Sequence, residues 1–238
     1  MNEPTLLTDI RDGVLTLSFN RPDKLNAINN PLALSLLDAL NKAAANAAVR
    51  AIRLRGRGMA FCAGRDLGAP PTERDLELVQ TVADAMVRNP KPILAQVHGW
   101  VVGAGLEWMM CADVVVAGES ARFKLPEAGL GVFVTGGLTA TMPASVGWAR
   151  AKALAMLGEA FSARQAVDWG LIHKSVDDAD LDGAARQTAQ TLAALNPEVA
   201  WQFKRVFNGI GLEAFDRAIK EENKVQRMLG GAIPSPPR

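Results

Sequence analysis

The chain has 238 residues, 49% of them hydrophobic, which suits one domain, or one domain with a small appendage, around a sizeable core. Its 26 basic and 25 acidic side chains leave a net charge of +1 with no arginine- or lysine-rich run, which argues against a nucleic-acid surface. Two cysteines, Cys62 and Cys111, are too few for a disulfide framework and read as buried thiols of a reducing compartment; two histidines without ligand spacing argue against a metal centre.

The N-terminus carries Glu3 and Asp9 and has neither the apolar run of a signal peptide nor the arginines of a transit peptide. No apolar stretch approaches the ~20 residues of a spanning helix. The final Ser-Pro-Pro-Arg is not a peroxisomal address, so the cytoplasm is the expected location. Val14–Phe19 reads as a strand closed by Asn20-Arg21-Pro22-Asp23. Asn30 and Pro31 are expected to open a helix as N-cap and first residue, with Leu32, Leu36, Leu37 and Leu40 as its apolar face. Ala51–Arg55 is the next strand, and Gly56, Gly58 and Gly64 then break the regularity. Pro70-Pro71-Thr72 leads into a helix carrying Leu76, Val79, Val82, Ala83 and Met86, stopped by Asn89-Pro90-Lys91-Pro92. Ile93–Val97 is a strand, Gly99 to Gly105 turns the chain into a helix reaching about Cys111, and Asp113–Ala117 is another strand.

From Ala140 onward the pattern is mostly helical. Ser162 caps the run 163–169, with Gly170 at its C′ position. Two longer helices are expected at 181–195 and from Pro197 to about Met228, the second broken at Gly209-Ile210-Gly211. Strands alternate with helices in the first half and helices dominate the second. That predicts an α/β core with a helical C-terminal region and a frayed tail at 234–238.

Three segments carry chemistry. Gly103-Ala104-Gly105 lies between a strand and a helix, where glycine lets backbone approach a ligand and aims free N–H groups outward. Glu107 follows Ala104 by three residues, so the two share a face. Its apolar neighbours would raise its affinity for a proton. Phe61-Cys62-Ala63-Gly64-Arg65-Asp66-Leu67 is a second loop whose small residues permit close approach, with the Arg65 N–H a candidate donor. In the third, Pro126 fixes the direction in which Glu127 enters. On the residues alone, blander readings stay open: glycines serving helix–strand packing, Asp66 capping a short helix, and Glu127 favouring a helix N-terminus. Gly103-x-Gly105 is not a dinucleotide fingerprint, because its third position is Trp108. No G-x-S-x-G elbow and no phosphate loop is present.

In this order the segments resemble the crotonase superfamily, the enoyl-CoA hydratase/isomerase family. Asn20 to Ala27 looks like its first signature, Phe61 to Leu67 its second, and Gly99 to Asp113 its third and most specific. Pro126-Glu127, Gly136-Gly137 and 166–172 complete the series. The resemblance implies a ββα spiral core over 1–180 holding the acyl-CoA site. Residues 181–238 would form a helical oligomerisation region making a homotrimer or a dimer of trimers. It implies an acyl-CoA thioester as substrate, with no separate cofactor, no metal, no nucleic acid and no membrane. By that likeness the N–H groups of Arg65 and Ala104 form an oxyanion hole, and Glu107 and Glu127 are the catalytic acid/base pair. Lys24, Leu25, Ala27, Ala63, Gly64, Asp66, Leu67 and Gly103 line the substrate and CoA path. Members with both glutamates typically add water across a 2-enoyl-CoA, which is the expected reaction. Double-bond isomerisation is the alternative, and a non-catalytic CoA- or RNA-binding relative a more distant one.

Four departures from the family pattern bear on this. Ala104 stands where glycine is usual, so a methyl group crowds the approach. Val134-Thr135-Gly136-Gly137 replaces a proline- and glycine-rich loop. Trp108 is large beside the acid, and with Trp100 and Phe133 it is a candidate to narrow the acyl pocket. The chain is also expected to stop short of the final family helix, which helps cover CoA in a neighbouring subunit.

Overall fold

A computed structural model describes residues 3–68 and 72–230. The expectations for Pro70-Pro71 and for the tail at 234–238 fall outside the described residues. The chain opens with β1 (Leu6–Arg11) and β2 (Val14–Phe19), then α1 (Asn30–Ala45), β3 (Ala51–Gly56), α2 (Glu73–Val87), β4 (Ile93–Val97), β5 (Trp100–Val102) and α3 (Ala104–Met110). After these come β6 (Val114–Gly118), β7 (Arg122–Lys124), α4 (Leu138–Val146), α5 (Trp148–Leu157), β8 (Phe161–Ser162), α6 (Ala163–Asp168) and β9 (Lys174–Val176). Three helices finish the described chain: α7 (Leu181–Ala194), α8 (Pro197–Gly211) and α9 (Phe215–Gly230).

Six strands form one sheet in the order β1-β2-β3-β4-β6-β9, parallel except for the β1–β2 hairpin. A smaller sheet, β5-β7-β8, stands beside it. β4 is buried at all five positions, as expected of a strand covered on both faces. Leu15, Leu17 and Phe19 of β2 turn to one face, where α1 seats Leu32, Leu36 and Leu40. Phe19 anchors that core against Phe61 and Trp108, with ring centroids 5.3 and 6.1 Å away. On the other face Val14, Ala51, Leu94 and Val116 meet Leu181, Ala185, Ala189 and Ala193 of α7, whose small side chains let the helix lie close.

Several boundaries differ from the sequence expectation. The side chain that caps α1 is Asn29, accepting from the Leu32 N–H at 3.0 Å, and Asn30 is already helical. Gly209-Ile210-Gly211 does not break the C-terminal helix: α8 runs through Gly211, and the turn falls at 212–214. Thr72 caps α2 in a reciprocal box with Asp75, and Ser162 caps α6 in another with Gln165. α8 is tied to the core by buried Lys204, whose ammonium donates to the Met86 carbonyl and to Asp113, each at 2.9 Å. Its outer face leaves Val199, Phe203, Val206, Phe207 and Ile210 exposed at helical spacing.

Candidate active site

Residues 61–65 run between two backbone neighbours. On one side Cys62 donates to the Trp100 carbonyl at 3.2 Å and accepts from the Val102 N–H at 2.9 Å. On the other, Ile28 donates to the Gly64 carbonyl at 2.7 Å and accepts from the Asp66 N–H at 2.9 Å. The bonds of a parallel bridge run to the residues flanking the partner. The N–H of Arg65 therefore turns away from Ile28, toward the side where 102–104 lie. Gly64, at φ +87°, makes the approach possible: a Cβ there would come within 2.9 Å of the Val102 carbonyl oxygen and 3.8 Å of the Ala104 nitrogen. Ala104 opens α3, so its N–H has no intrahelical acceptor. Among the described residues neither N–H donates to a protein acceptor.

Both glutamates meet these donors in one cavity of about 310 Å³. Its wall includes Arg65, Gly103, Ala104, Glu107, Glu127 and Thr135. Glu107 is 1% exposed. Its Oε1 accepts from the Thr135 N–H at 2.7 Å and its Oε2 from the Thr135 hydroxyl at 2.5 Å. Burial pushes its proton affinity well above the usual carboxylate range, the charge of Glu127 adds to the rise, and the Thr135 bonds oppose it. Glu127 enters from the loop after β7 and stands just before a short 3-10 turn, 128–130, without a side-chain bond to it. Burial raises its proton affinity too, and its Oε2 has no hydrogen-bond partner among the described residues. Gly103 is shaped to this neighbour: its φ is +51°, and a Cβ would sit 2.5 Å from Glu127 Oε1. Two carboxyl groups that both resist ionisation can hold one proton between them, beside two N–H groups able to receive a negatively charged oxygen.

Of the residues expected to line the path, Ala63, Gly64, Asp66, Leu67 and Gly103 do line this cavity. Lys24, Leu25 and Ala27 lie next to it without lining it. Leu25 accepts from the Ala63 N–H at 3.0 Å, and the Arg21 guanidinium donates to both the Ala27 carbonyl and Asp66. Among the described residues Asp66 caps no helix: it accepts from the Gly68 N–H at 3.1 Å in a turn. Phe133 lines the cavity, whereas the other two candidates for narrowing it do not. Trp100 is exposed, and Trp108 is wholly buried in the core with its indole N–H on the Val79 carbonyl at 3.0 Å.

Sequence reading missed the groups that hold Glu107. Thr135 lies in the loop noted only as a departure. Behind that loop stands Glu222 of α9, fully buried, accepting from the Gly137 N–H at 2.8 Å, the Thr139 N–H at 2.9 Å and the Thr139 hydroxyl at 2.6 Å. Gln226, one turn on, donates to the Phe133 carbonyl and lines the cavity. Nothing marks Glu222 in the sequence, because Glu221-Glu222 in a charged helix reads as a solvated face. Among the described residues no His, Cys, Asp and Glu cluster has the arrangement to hold a metal ion, and no helix is long and apolar enough to cross a membrane.

The sequence model of the enoyl-CoA hydratase/isomerase family matches residues 9–230. A 1,2-epoxyphenylacetyl-CoA isomerase of Escherichia coli K12 is 34% identical over 235 residues, spanning 94% of this chain and 90% of its own. A Rhodobacter capsulatus protein named "Probable enoyl-CoA hydratase" is 36% identical over 237 residues, spanning 97% and 91%. The crystal structure of an enoyl-CoA hydratase from Mycobacterium avium subsp. paratuberculosis K-10 superposes with a TM-score of 0.91 at 28% identity, covering 98% of this chain and 91% of that one. The chain therefore belongs to the enoyl-CoA hydratase/isomerase family of the crotonase superfamily, whose enzymes act on acyl-CoA thioesters.

Proposed function

We propose that this protein hydrates the double bond of a 2-enoyl-CoA thioester. The observation that carries the reading is the meeting of Glu107, Glu127 and the N–H groups of Arg65 and Ala104 around one cavity. The thioester oxygen binds between the two N–H groups, which form the oxyanion hole. As water adds, the ionised member of the glutamate pair takes a proton from the water attacking Cβ. The electrons of the double bond move onto the thioester, and the oxygen gains charge at the two donors. The protonated member then delivers its proton to Cα. One water is consumed, and the pair ends with its single proton exchanged. Each oxyanion donor is typically worth about 3–4 kcal/mol of barrier. Lys24, Leu25 and Ala27 line the path of the CoA moiety outside the cavity.

Double-bond isomerisation is the second reading. It is favoured by the altered 134–137 loop. Crotonyl-CoA separates the two: hydration removes the enoyl absorbance, whereas an isomerase exchanges and relocates protons without consuming water. Persistence of the enoyl absorbance across a panel of 2-enoyl-CoA esters would overturn the hydratase reading.

The exposed apolar stripe of α8 supports a second part of the reading: 181–238 carry assembly into a homotrimer or a dimer of trimers. Phe203→Asp with Phe207→Asp should lower the mass measured by light scattering, and an unchanged mass would rule that face out. A cytoplasmic location goes with this reading, supported by the two buried free thiols, and fatty acid metabolism is the proposed setting.

A further inference from the structure

Arg65 offers more than its backbone. Its side chain is one-fifth exposed, and the residue forms part of the cavity wall beside Leu67, Leu76 and Glu107. Among the described residues lining that cavity it is the one cation. The nearest carboxylate, Asp75, stands 3.8 Å from Nη2, beyond hydrogen-bond distance. Both Asp75 oxygens are already engaged: Oδ1 accepts from Asn30 at 2.6 Å and Oδ2 from the Thr72 N–H at 2.7 Å. Arg65 Nη1 is buried with no hydrogen-bond partner among the described residues. A guanidinium does not lose its charge in a protein, so among the described residues this donor is left calling for an acceptor. Asp66 does not serve, since Arg21 holds it at 2.7 Å.

We infer that Arg65 selects acyl-CoA esters whose short acyl chain ends in a carboxylate, the monothioesters of dicarboxylic acids. The inference rests on the thioester pose given above. There the Arg65 N–H holds the thioester oxygen, and its side chain departs from the same Cα. The guanidinium then meets the acyl chain a few bonds beyond the carbonyl, where a terminal carboxylate of a short acid would lie. Planar, bidentate recognition of a carboxylate is what an arginine fork does best. Entry of that second negative charge among Glu107 and Glu127 requires a cation, and Arg65 is the one at hand.

Binding is tested apart from turnover with two saturated esters of equal chain length, glutaryl-CoA and pentanoyl-CoA, by calorimetric titration. Neither carries the double bond that hydration needs. The wild-type protein should bind glutaryl-CoA on the order of tenfold more tightly. Arg65→Met should reduce that ratio to about two or less, through loss on the glutaryl side. Equal wild-type affinities, or a ratio that survives in Arg65→Met, would overturn the inference. A guanidinium that only balances the two glutamates would change both affinities together and leave the ratio intact, which counts against it. Equal wild-type affinities would overturn the inference even if Arg65→Met fails to fold, and Arg65→Lys, which keeps the charge but not the fork, should then show a reduced ratio. Hydration of the matching 2-enoyl esters is assayed separately: discrimination without hydration would remove the proposed reaction and leave this specificity standing.

Discussion

Glu107 and Glu127 face one cavity from unlike surroundings. Glu107 projects from a buried helix and has both oxygens occupied by a single threonine. Glu127 stands on a turn, half-buried, with one oxygen unpartnered and the other against the bare backbone of Gly103. Burial raises the proton affinity of both; two Thr135 donors oppose the rise at Glu107, whereas at Glu127 its own backbone N–H does so. A pair built this way keeps one member geometrically fixed and the other free to meet a ligand.

The bluntest way to break the comparison is to remove either acid. Glu107→Gln or Glu127→Gln should each lower kcat by about 10²–10⁴-fold with a much smaller change in acyl-CoA affinity, read by steady-state kinetics and calorimetry. Equal turnover in either variant would end the two-acid mechanism. Next in size, Thr135→Val removes the hydroxyl donor but keeps the N–H, and should cost about tenfold in kcat. Losing a donor to the ionised form makes Glu107 hold its proton more tightly, so the apparent pKa of the pair in the pH–rate profile should rise. Glu222→Gln acts on the same loop from behind with a few-fold loss and the opposite sign. Glu222 adds to the raised proton affinity of Glu107, so removing its charge should lower that apparent pKa. Shifts of the same sign in both variants would show that the loop, rather than charge, sets the profile.

The smallest effect concerns stability. Folded Glu107 keeps its proton above the pH at which the unfolded chain releases one, near 4.3. Its favourable contribution is complete below that pH and is lost as the pH rises through the raised folded value. Glu107→Gln should therefore melt higher than the wild type at alkaline pH, by about 2–4 °C per kcal/mol, with the difference vanishing in acid. A lower melting temperature at alkaline pH would mean that the ionised carboxylate is well accommodated.

The buried strands were legible because their apolar runs are continuous. β2 and β4 have the expected limits, and β3 exceeds them by one residue. β1 was not, since Thr8, Asp9 and Arg11 interrupt its pattern, although Asp12-Gly13 is the signal of a two-residue hairpin and both residues take positive φ. β5, β7 and β8 are two or three residues long, too short for any period to register. At the site, glycine and proline punctuate the approaches to Glu107 and Glu127 and mark them as candidates, while their pairing comes from the family resemblance. Thr135, Glu222 and the Arg65 guanidinium do not stand out in the sequence, because what they face lies across the fold. A buried glutamate on a helix that otherwise alternates charge looks like solvent-facing surface until its partners, some 85 residues away, are in place.

The inward-facing polar side chains of α9 have one further consequence. Glu222 and Gln226 reach their partners within their own chain, so Arg65, Ala104, Glu107, Glu127 and the loop behind them all come from one polypeptide. Subunits assembled from two different crippled variants, Glu107→Gln and Glu222→Gln, should then show no complementation. If the proposed assembly forms, its mixed oligomers would work at the sum of the separate rates, as independent engines sharing a chassis.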